Sequence, residues 1–433
     1  MAHLAGSNKT RKATVCLPPG QVSTHSNADP NTMADGKIPV LSFFTGLGLL
    51  DLGFHNASFE SAWHNEFDLE FAAAFQFGMK SLGIIGCAGS IQNSQSIVDV
   101  GPNQIIKEAF GKSGKPALLG IIGGPPCPDF SVGGKNRGKD GERGRLSQVF
   151  IERILSIQPT FFLFENVPGL LRTARHREFL QKLLAQLAPQ YCIDLKLVNA
   201  LEYGVPQDRE RLIIVGLQKS WLRKHGKKVR RKQDTDLLVE RARHRPTIGE
   251  TTTPTAHWMP WDRGRTYPGA KNKYQWPLTS PFGSNPGQPI NVPEALMVGP
   301  LVCDQQRLTS LPNGTEGFVP YSSRFQTVAE GDVSKKCFKR LHRWRYSPTA
   351  AYGNNEVHLH PIEARRLTVR EAMQIQTIPE NFALPPEMTL TTKFKTIGNA
   401  VPVRLAEAMA RSLKEVIDSV TKGEACDHLQ SHS

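Results

Sequence analysis

The sequence predicts an α/β fold, with one domain on a mainly parallel sheet joined to a smaller, irregular second domain. Three observations lead there. From Pro39 to Leu217, short apolar runs alternate with helix-like stretches, the pattern of strands and crossover helices. From 218 to 358 the alternation stops, and twelve prolines stand between Pro246 and Pro320, too many for regular helix. From 359 to 421 helical spacing returns.

The elements follow in order. Residues 1–37 are rich in Ser, Asn, Thr and Pro and read as a disordered arm. Residues 38–217 hold the runs VLSFF, SAWHNEF, LGIIGCAG, ALLGIIGG, TFFLFENV and RLIIVGL, read as strands, with LSQVFIERILSI as an amphipathic helix among them. In 218–358, Trp258, Trp261, Tyr267, Tyr274 and Trp276 alternate with turn residues, which predicts loops and short strands. In 359–421, Thr368 and Glu371 form a capping box ahead of VREAMQIQ, and Val403, Ala406, Met409, Ala410 and Leu413 keep helical spacing. These two helices are expected to fold back onto the first domain. Residues 422–433 read as a frayed tail.

Composition narrows the class. With 433 residues, 39% hydrophobic and 21% charged, the chain can bury a core unaided and has no apolar run that would span a bilayer. Seven scattered cysteines form no C-x-x-C pair, which argues against structural zinc. With no secretory signal in MAHLAGSNKTRKATVCLPPG, the expectation is a reducing cytoplasm, no membrane and no metal. The net charge is +14, and residues 218 to 358 hold 23 Lys or Arg against 11 Asp or Glu. KSWLRKHGKKVRRK (Lys219 to Lys232) has eight basic residues in fourteen and no acid, and KKCFKRLHRWR repeats the theme. One charge run alone is ordinarily a solvated face. Concentration of the excess in one aromatic-laced segment makes nucleic acid the leading partner.

Candidate chemistry sits at strand ends. Gly46 and Gly48 follow VLSFF in a turn that lets a ligand approach the backbone, but Asp51 occupies the place of a third glycine, which weakens a nicotinamide or flavin reading. Glu66, at the end of the next run, can accept two hydrogen bonds from a ribose diol, and Phe67 can stack on a base. In ALLGIIGGPPCPDFS, glycines and prolines fix a loop that presents Cys127, a good place for a nucleophile and a poor one for a buried core thiol. TFFLFENV then ends in Glu165, one crossover later. Cys127 and Glu165 should therefore open on one edge, Glu165 serving as an acid or as a carboxylate fixing a substrate N–H. In NALEYGVPQDRERLIIVGL, Gln207, Arg209 and Arg211 have period two, which puts them on one strand face. Their guanidinium groups suit a phosphate or a carbonyl oxygen.

Together these segments resemble the C5-cytosine-specific DNA methyltransferases, from Val40 to about Ala410. FFTGLG, HNEFD, GGPPCPDFS, FENV, QDRER, RRLTVREAMQIQTIPENF and KTIGNAVPV look like that family's motifs in its order. The resemblance implies a Rossmann-like S-adenosylmethionine-dependent methyltransferase domain and a target-recognition domain in residues 218–358. Cys127 would add to C6 of a flipped cytosine, Glu165 would contact N3 and the exocyclic amine, Arg211 would bind the O2 side and Arg209 would support the loop. Cofactor contacts carried over by position are Phe44, Gly46, Leu47, Gly48, Glu66, Phe67, Ile91, Pro126, Leu146 and Asn399. Leu49, Phe67 and Pro128 depart from the family's usual Gly, Trp and Gln, and Ser90 stands where an aspartate commonly holds the adenine.

The function this implies is transfer of a methyl group from S-adenosylmethionine to C5 of cytosine in a short duplex DNA sequence, protecting host DNA from a cognate restriction endonuclease. The expected state is a monomer in the bacterial cytoplasm, at the nucleoid. Two other readings use the same fold, a non-catalytic DNA-binding regulator and an RNA cytosine-5 methyltransferase. An intact Cys127, Glu165 and Arg211 speak against the regulator, and the large basic segment favours duplex DNA.

Overall fold

A computed structural model of the chain describes residues 36–84, 91–126, 142–228, 233–243, 257–352 and 356–423. The strands up to residue 218 are β1 (Ile38–Phe43), β2 (Phe59–Asn65), β3 (Ile91–Asn93), β4 (Gly120–Gly123), β5 (Phe161–Asn166), β6 (Tyr191–Asn199), β7 (Gln207–Asp208) and β8 (Glu210–Gln218). Among the described residues all but β7 join one seven-stranded sheet in the order β3-β2-β1-β4-β5-β8-β6. The pairs β1–β2, β2–β3, β1–β4 and β4–β5 are parallel, and β8 alone runs against its neighbours β5 and β6. The order reverses between β1 and β4, so their carboxyl ends splay apart into the crevice where open α/β sheets bind ligands.

These strands are continuous apolar runs because both faces of the sheet are covered. All six residues of β1 are buried. On one face lie α1 (Leu49–Asn56) and the carboxyl-terminal helix Val403–Thr421, whose Phe54, Leu413 and Val416 share a core with Phe59, Phe161 and Val215. α2 (Leu69–Ser81) packs beside α1, and on the other face lie α3 (Pro102–Phe110), α4 (Glu142–Ile157) and α5 (Ala174–Leu187). Of these, α3 to α5 supply Ile105, Phe150, Ile154, Leu180 and Leu184 to a core with Phe43, Phe162 and Phe164. A third core joins Leu49 of α1 and Phe75 of α2 to α6 (Val369–Ile375) and α7 (Leu390–Asn399). The closing helix Val403–Thr421 is α8. The predicted capping box is present at α6, with Thr368 and Glu371 bonding reciprocally, and the closing helices do return to the first domain.

Two expectations change. The run LGIIGCAG does not begin as a strand: Leu82 to Ile84 finish the turn after α2, and residues 85–90 lie outside the described set. Nor does the second domain begin at 218. The helix Thr235–Arg243 gives Leu238, Val239 and Ala242 to the sheet core, and Trp258, Met259 and Trp261 are buried in the core on the opposite face. Asp194 on β6 fixes this return, accepting from the Met259 N–H at 3.0 Å, the Trp261 indole at 3.1 Å and His257 Nδ1 at 2.6 Å. The physical reason is burial: those two indoles cover sheet surface that would otherwise meet water. The prolines of this region do exclude long helices, leaving pieces such as Ala270–Lys273 and Gln305–Ser310.

Candidate active site

Every predicted chemical group that the structure describes at a strand end lies at the same edge of the sheet, because β1, β2, β4 and β5 all finish there and β8 starts there. The turn after β1 carries Phe44 at φ 56°, Gly46 at φ 57° and Gly48 at φ 77°. A β-carbon on Gly48 would fall 2.0 Å from the Phe75 ring, whereas one on Gly46 would meet open space. Gly48 is therefore needed for packing, and Gly46 leaves room for a ligand. Leu47 has its side chain buried in the third core, so only its backbone faces the crevice.

Glu66 stands one residue beyond β2. Its Oε2 accepts from the Gly46 N–H at 2.8 Å and its Oε1 from the Asp68 N–H at 2.9 Å. Asp68 in turn caps α2. The glycine turn and the carboxylate are thus one unit, and burial pushes the Glu66 carboxyl above its ordinary range. Beside it Phe67 is 70% exposed, and Ile91, at the start of the adjoining strand, is 43% exposed. Two large apolar side chains left in water beside a carboxylate suit a nucleoside.

Glu165 is the penultimate residue of β5. The Arg211 Nε lies 2.8 Å from its Oε1, and both side chains are nearly buried. Burial raises the Glu165 pKa, while the positive charges of Arg211 and Arg209 oppose that rise. A carboxyl so placed takes up a proton more readily than a free one and stays oriented by its partner. The loop after β4 passes against it: a β-carbon on Gly124 would sit 2.7 Å from Glu165 Oε2. Asn166 Nδ2 donates to the Pro125 carbonyl at 3.4 Å, a tie not anticipated from sequence although Asn166 adjoins Glu165. Pro126 is exposed, and Cys127, the next residue, lies outside the described residues, as do Pro128 and Ser90.

The three residues with period two stay together although the strand is interrupted: Arg209 Nη1 donates to Gln207 Oε1 at 3.4 Å, and the charges of Arg209 and Arg211 both act on Glu165. The strand breaks at Arg209, because β7 pairs with Ser347–Pro348 instead of joining the main sheet. Arg209 is fully buried, and its guanidinium donates to the carbonyls of Ala350 at 3.1 Å, Gly398 at 2.9 Å and Ala400 at 2.8 Å. Gln207 Nε2 donates to Gln376 Oε1 in the same buried junction. Arg209 therefore ties the closing helices to the sheet, and only Arg211 turns to Glu165. Asn399, exposed at the end of α7, follows Ile397, which shares the third core with Leu47. Leu146 on α4 is half-buried against the Phe150 core.

A doubly wound sheet with a glycine turn, a ribose-ready carboxylate and a buried Glu–Arg pair at its switch point defines a nucleoside-cofactor enzyme. Residues 38–415 match the family model for C-5 cytosine-specific DNA methylases, and the chain belongs to that family. Among its relatives, Type II methyltransferase M.NmeDI of Neisseria meningitidis serogroup C is 41% identical over 404 residues, spanning 90% of this chain and 87% of the relative. Type II methyltransferase M.NgoPII of Neisseria gonorrhoeae is 30% identical over 400 residues, 90% of this chain and 99% of the relative. The fold is also that of S. pombe Dnmt2 methyltransferase, at TM-score 0.52 and 10% identity over 89% of this chain and 99% of that one.

The enzyme is a DNA (cytosine-5-)-methyltransferase, and its methyl donor is S-adenosylmethionine. The residues present fit that group. The open side of Gly46, the Glu66 carboxylate and the exposed Phe67 and Ile91 offer the contacts that an adenosine needs. When bound, the donor supplies an electrophilic methyl carbon on a sulfonium.

Proposed function

We propose that Cys127 is the nucleophile and that the enzyme acts on a cytosine turned out of duplex DNA. The C5 of cytosine is a poor nucleophile. A thiolate bond to C6 moves electron density onto C5, which can then take a methyl group; loss of the C5 proton and expulsion of the thiolate restore the ring. The observation that supports this most is the contact of Gly124 with the Glu165 carboxylate, because it sets the loop leading to Cys127 against the Glu165–Arg211 pair. Glu165, its carboxyl pushed up by burial, holds a proton toward N3 and accepts from the exocyclic amine. Arg211 orients Glu165 and offers its remaining N–H groups to O2. The target must leave the stack, at a cost of a few kcal/mol.

Residues 274–346, between the last side chains packed on the sheet and the strand Ser347–Pro348, form the target-recognition segment in this reading. Protection of host DNA from a cognate endonuclease is the biological role, and the enzyme acts as a monomer on one site. Bisulfite sequencing of DNA from cells expressing the protein identifies the target. A duplex with 5-fluorocytosine at that position, incubated with enzyme and donor, should then yield a denaturation-stable adduct, because fluorine cannot leave C5 as a cation. Cys127→Ser should form none. Absence of an adduct with the wild-type enzyme would overturn the covalent mechanism.

A further inference from the structure

The most basic stretch of the chain hangs from the wrong edge of the sheet to serve the catalytic crevice. β8 runs opposite to β5, so Ile213 lies beside Glu165 while Leu217 lies beside Phe161, at the far end of the strand. Gln218 is five residues beyond Ile213, about 17 Å at ~3.4 Å per residue. The basic run starts there, with the Lys219 N–H donating to the Gln190 carbonyl at 2.8 Å. It ends near the same edge. Gln233 is fixed to β6 by two hydrogen bonds, its Oε1 accepting from the Ile193 N–H at 2.9 Å and its Nε2 donating to the Ile193 carbonyl at 2.6 Å.

Between these pins the sequence has eight basic residues and no acidic one. Lys219 is spent on structure, buried and donating to the Ala188 carbonyl at 2.6 Å. Burial lowers its pKa, against an opposing effect of Cys192, and the neighbouring Arg223 adds a small further lowering. Arg223, Lys224 and Lys228 are exposed. Lys115, also exposed, sits at the same edge, its Nζ 2.9 Å from the Gln158 carbonyl to which Gln218 also donates. The next carboxylate, Asp234, is turned to the N–H groups of Asp236 and Leu237 in its own helix. Exposed cations gathered on one edge with no acidic residue in the run suit a polyanion.

We propose that Arg223, Lys224 and Lys228, with Lys115 at the same edge, form a second, sequence-independent binding surface for duplex DNA, on the edge of the sheet opposite the catalytic crevice. This rests on the DNA-methylating function proposed above. A duplex engaged at Glu165 lies across the other edge, so the second surface takes a different DNA segment. The enzyme can hold that segment while it works on, or leaves, the first. The contacts are phosphate contacts, because an exposed set of cations without a groove-reading element carries no sequence information.

The test uses the full-length enzyme saturated with a short duplex that just covers its target, whose methylation is measured first. A labelled non-cognate duplex is then added at low salt, and complexes holding both are measured by analytical ultracentrifugation. Wild-type enzyme should capture one second duplex, and the triple variant Arg223→Gln, Lys224→Gln, Lys228→Gln should capture it at least tenfold more weakly. The variant should methylate the short duplex at the wild-type rate, which also shows that it is folded. The slope of log affinity against log salt for the second duplex should fall by about 0.9 for each phosphate contact removed. A methylating wild-type enzyme that captures no second duplex, a folded variant that captures it undiminished, or a site that prefers single-stranded RNA would overturn the proposal. Failure of the first duplex to be methylated would instead count against the function itself.

Discussion

Burial pushes three carboxyl groups upward, those of Glu66, Glu165 and Asp51, and the last two differ most in what surrounds them. Glu165 has Arg211 at 2.8 Å and borders the crevice. Asp51, in the first turn of α1, has only hydroxyl partners: Ser61 Oγ donates to its Oδ1 at 2.7 Å, and its Oδ2 has no hydrogen-bond partner. Burial raises the Asp51 pKa from 3.8 to about 6. An acid whose folded pKa is raised binds its proton more tightly when folded. Its contribution to stability is then full below pH 3.8 and is lost as pH rises through about 6. Two units correspond to up to about 3 kcal/mol. Asp51→Asn keeps the shape and the bond from Ser61 without the charge, so thermal melts should show it more stable than wild type at pH 7.5 and nearly equal at pH 4. A constant difference between the two across that range would contradict this. Glu165 was legible in the sequence because it ends an apolar strand. The burial of Asp51 was not, since its partner Ser61 is brought alongside only by the pairing of β1 with β2.

At the scale of elements, what could be read was what is local. The capping box of α6 is written in four residues, and the parallel order of β4 and β5 follows from one crossover. The broken strand at Arg209 could not be read, because its cause is the strand Ser347–Pro348, far along the chain. Period two keeps Gln207, Arg209 and Arg211 together, but tertiary contacts turn Gln207 and Arg209 to the closing helices. Arg209 now satisfies three carbonyls from two separate segments, and of these the Ala400 carbonyl also accepts from Gln376. Arg209→Ala should cost about 3–5 kcal/mol, read from urea denaturation midpoints. Arg209→Lys should recover only part of this, since one ammonium cannot reproduce the planar fork. A loss under about 1 kcal/mol in the alanine variant would mean that the junction is held by other contacts, such as those of Gln376 with Ile397 and Ala400.

Across the whole molecule, charge and proline content drew the domain boundary at 218, and burial moves it. Composition records where cations and turn residues fall along the chain, but not that the chain must first return to cover the sheet. Trp258 and Trp261 do that, and Arg265 and Gly269 extend the return by bonding to Glu202 at 2.9 and 2.8 Å. Beyond it the segment has polar anchors of its own. The buried Glu330 pairs with Arg343 at 2.9 Å, and Arg340 donates to the carbonyls of Val328, Glu363 and Phe325 while lying over the Phe282 ring. Val298, Val302 and Leu341 of this segment join the third core, so a chimera that exchanges residues 274–346 with the matching segment of a relative while keeping those three should fold and methylate a different sequence at a comparable rate. One that exchanges 218–358 also replaces Trp258, Met259 and Trp261, each worth several kcal/mol in a fitted core, and should lose its cooperative melt. Bisulfite sequencing and thermal melts on the two chimeras separate the cases. A folded 274–346 chimera that still methylates the original sequence would place recognition elsewhere in the chain.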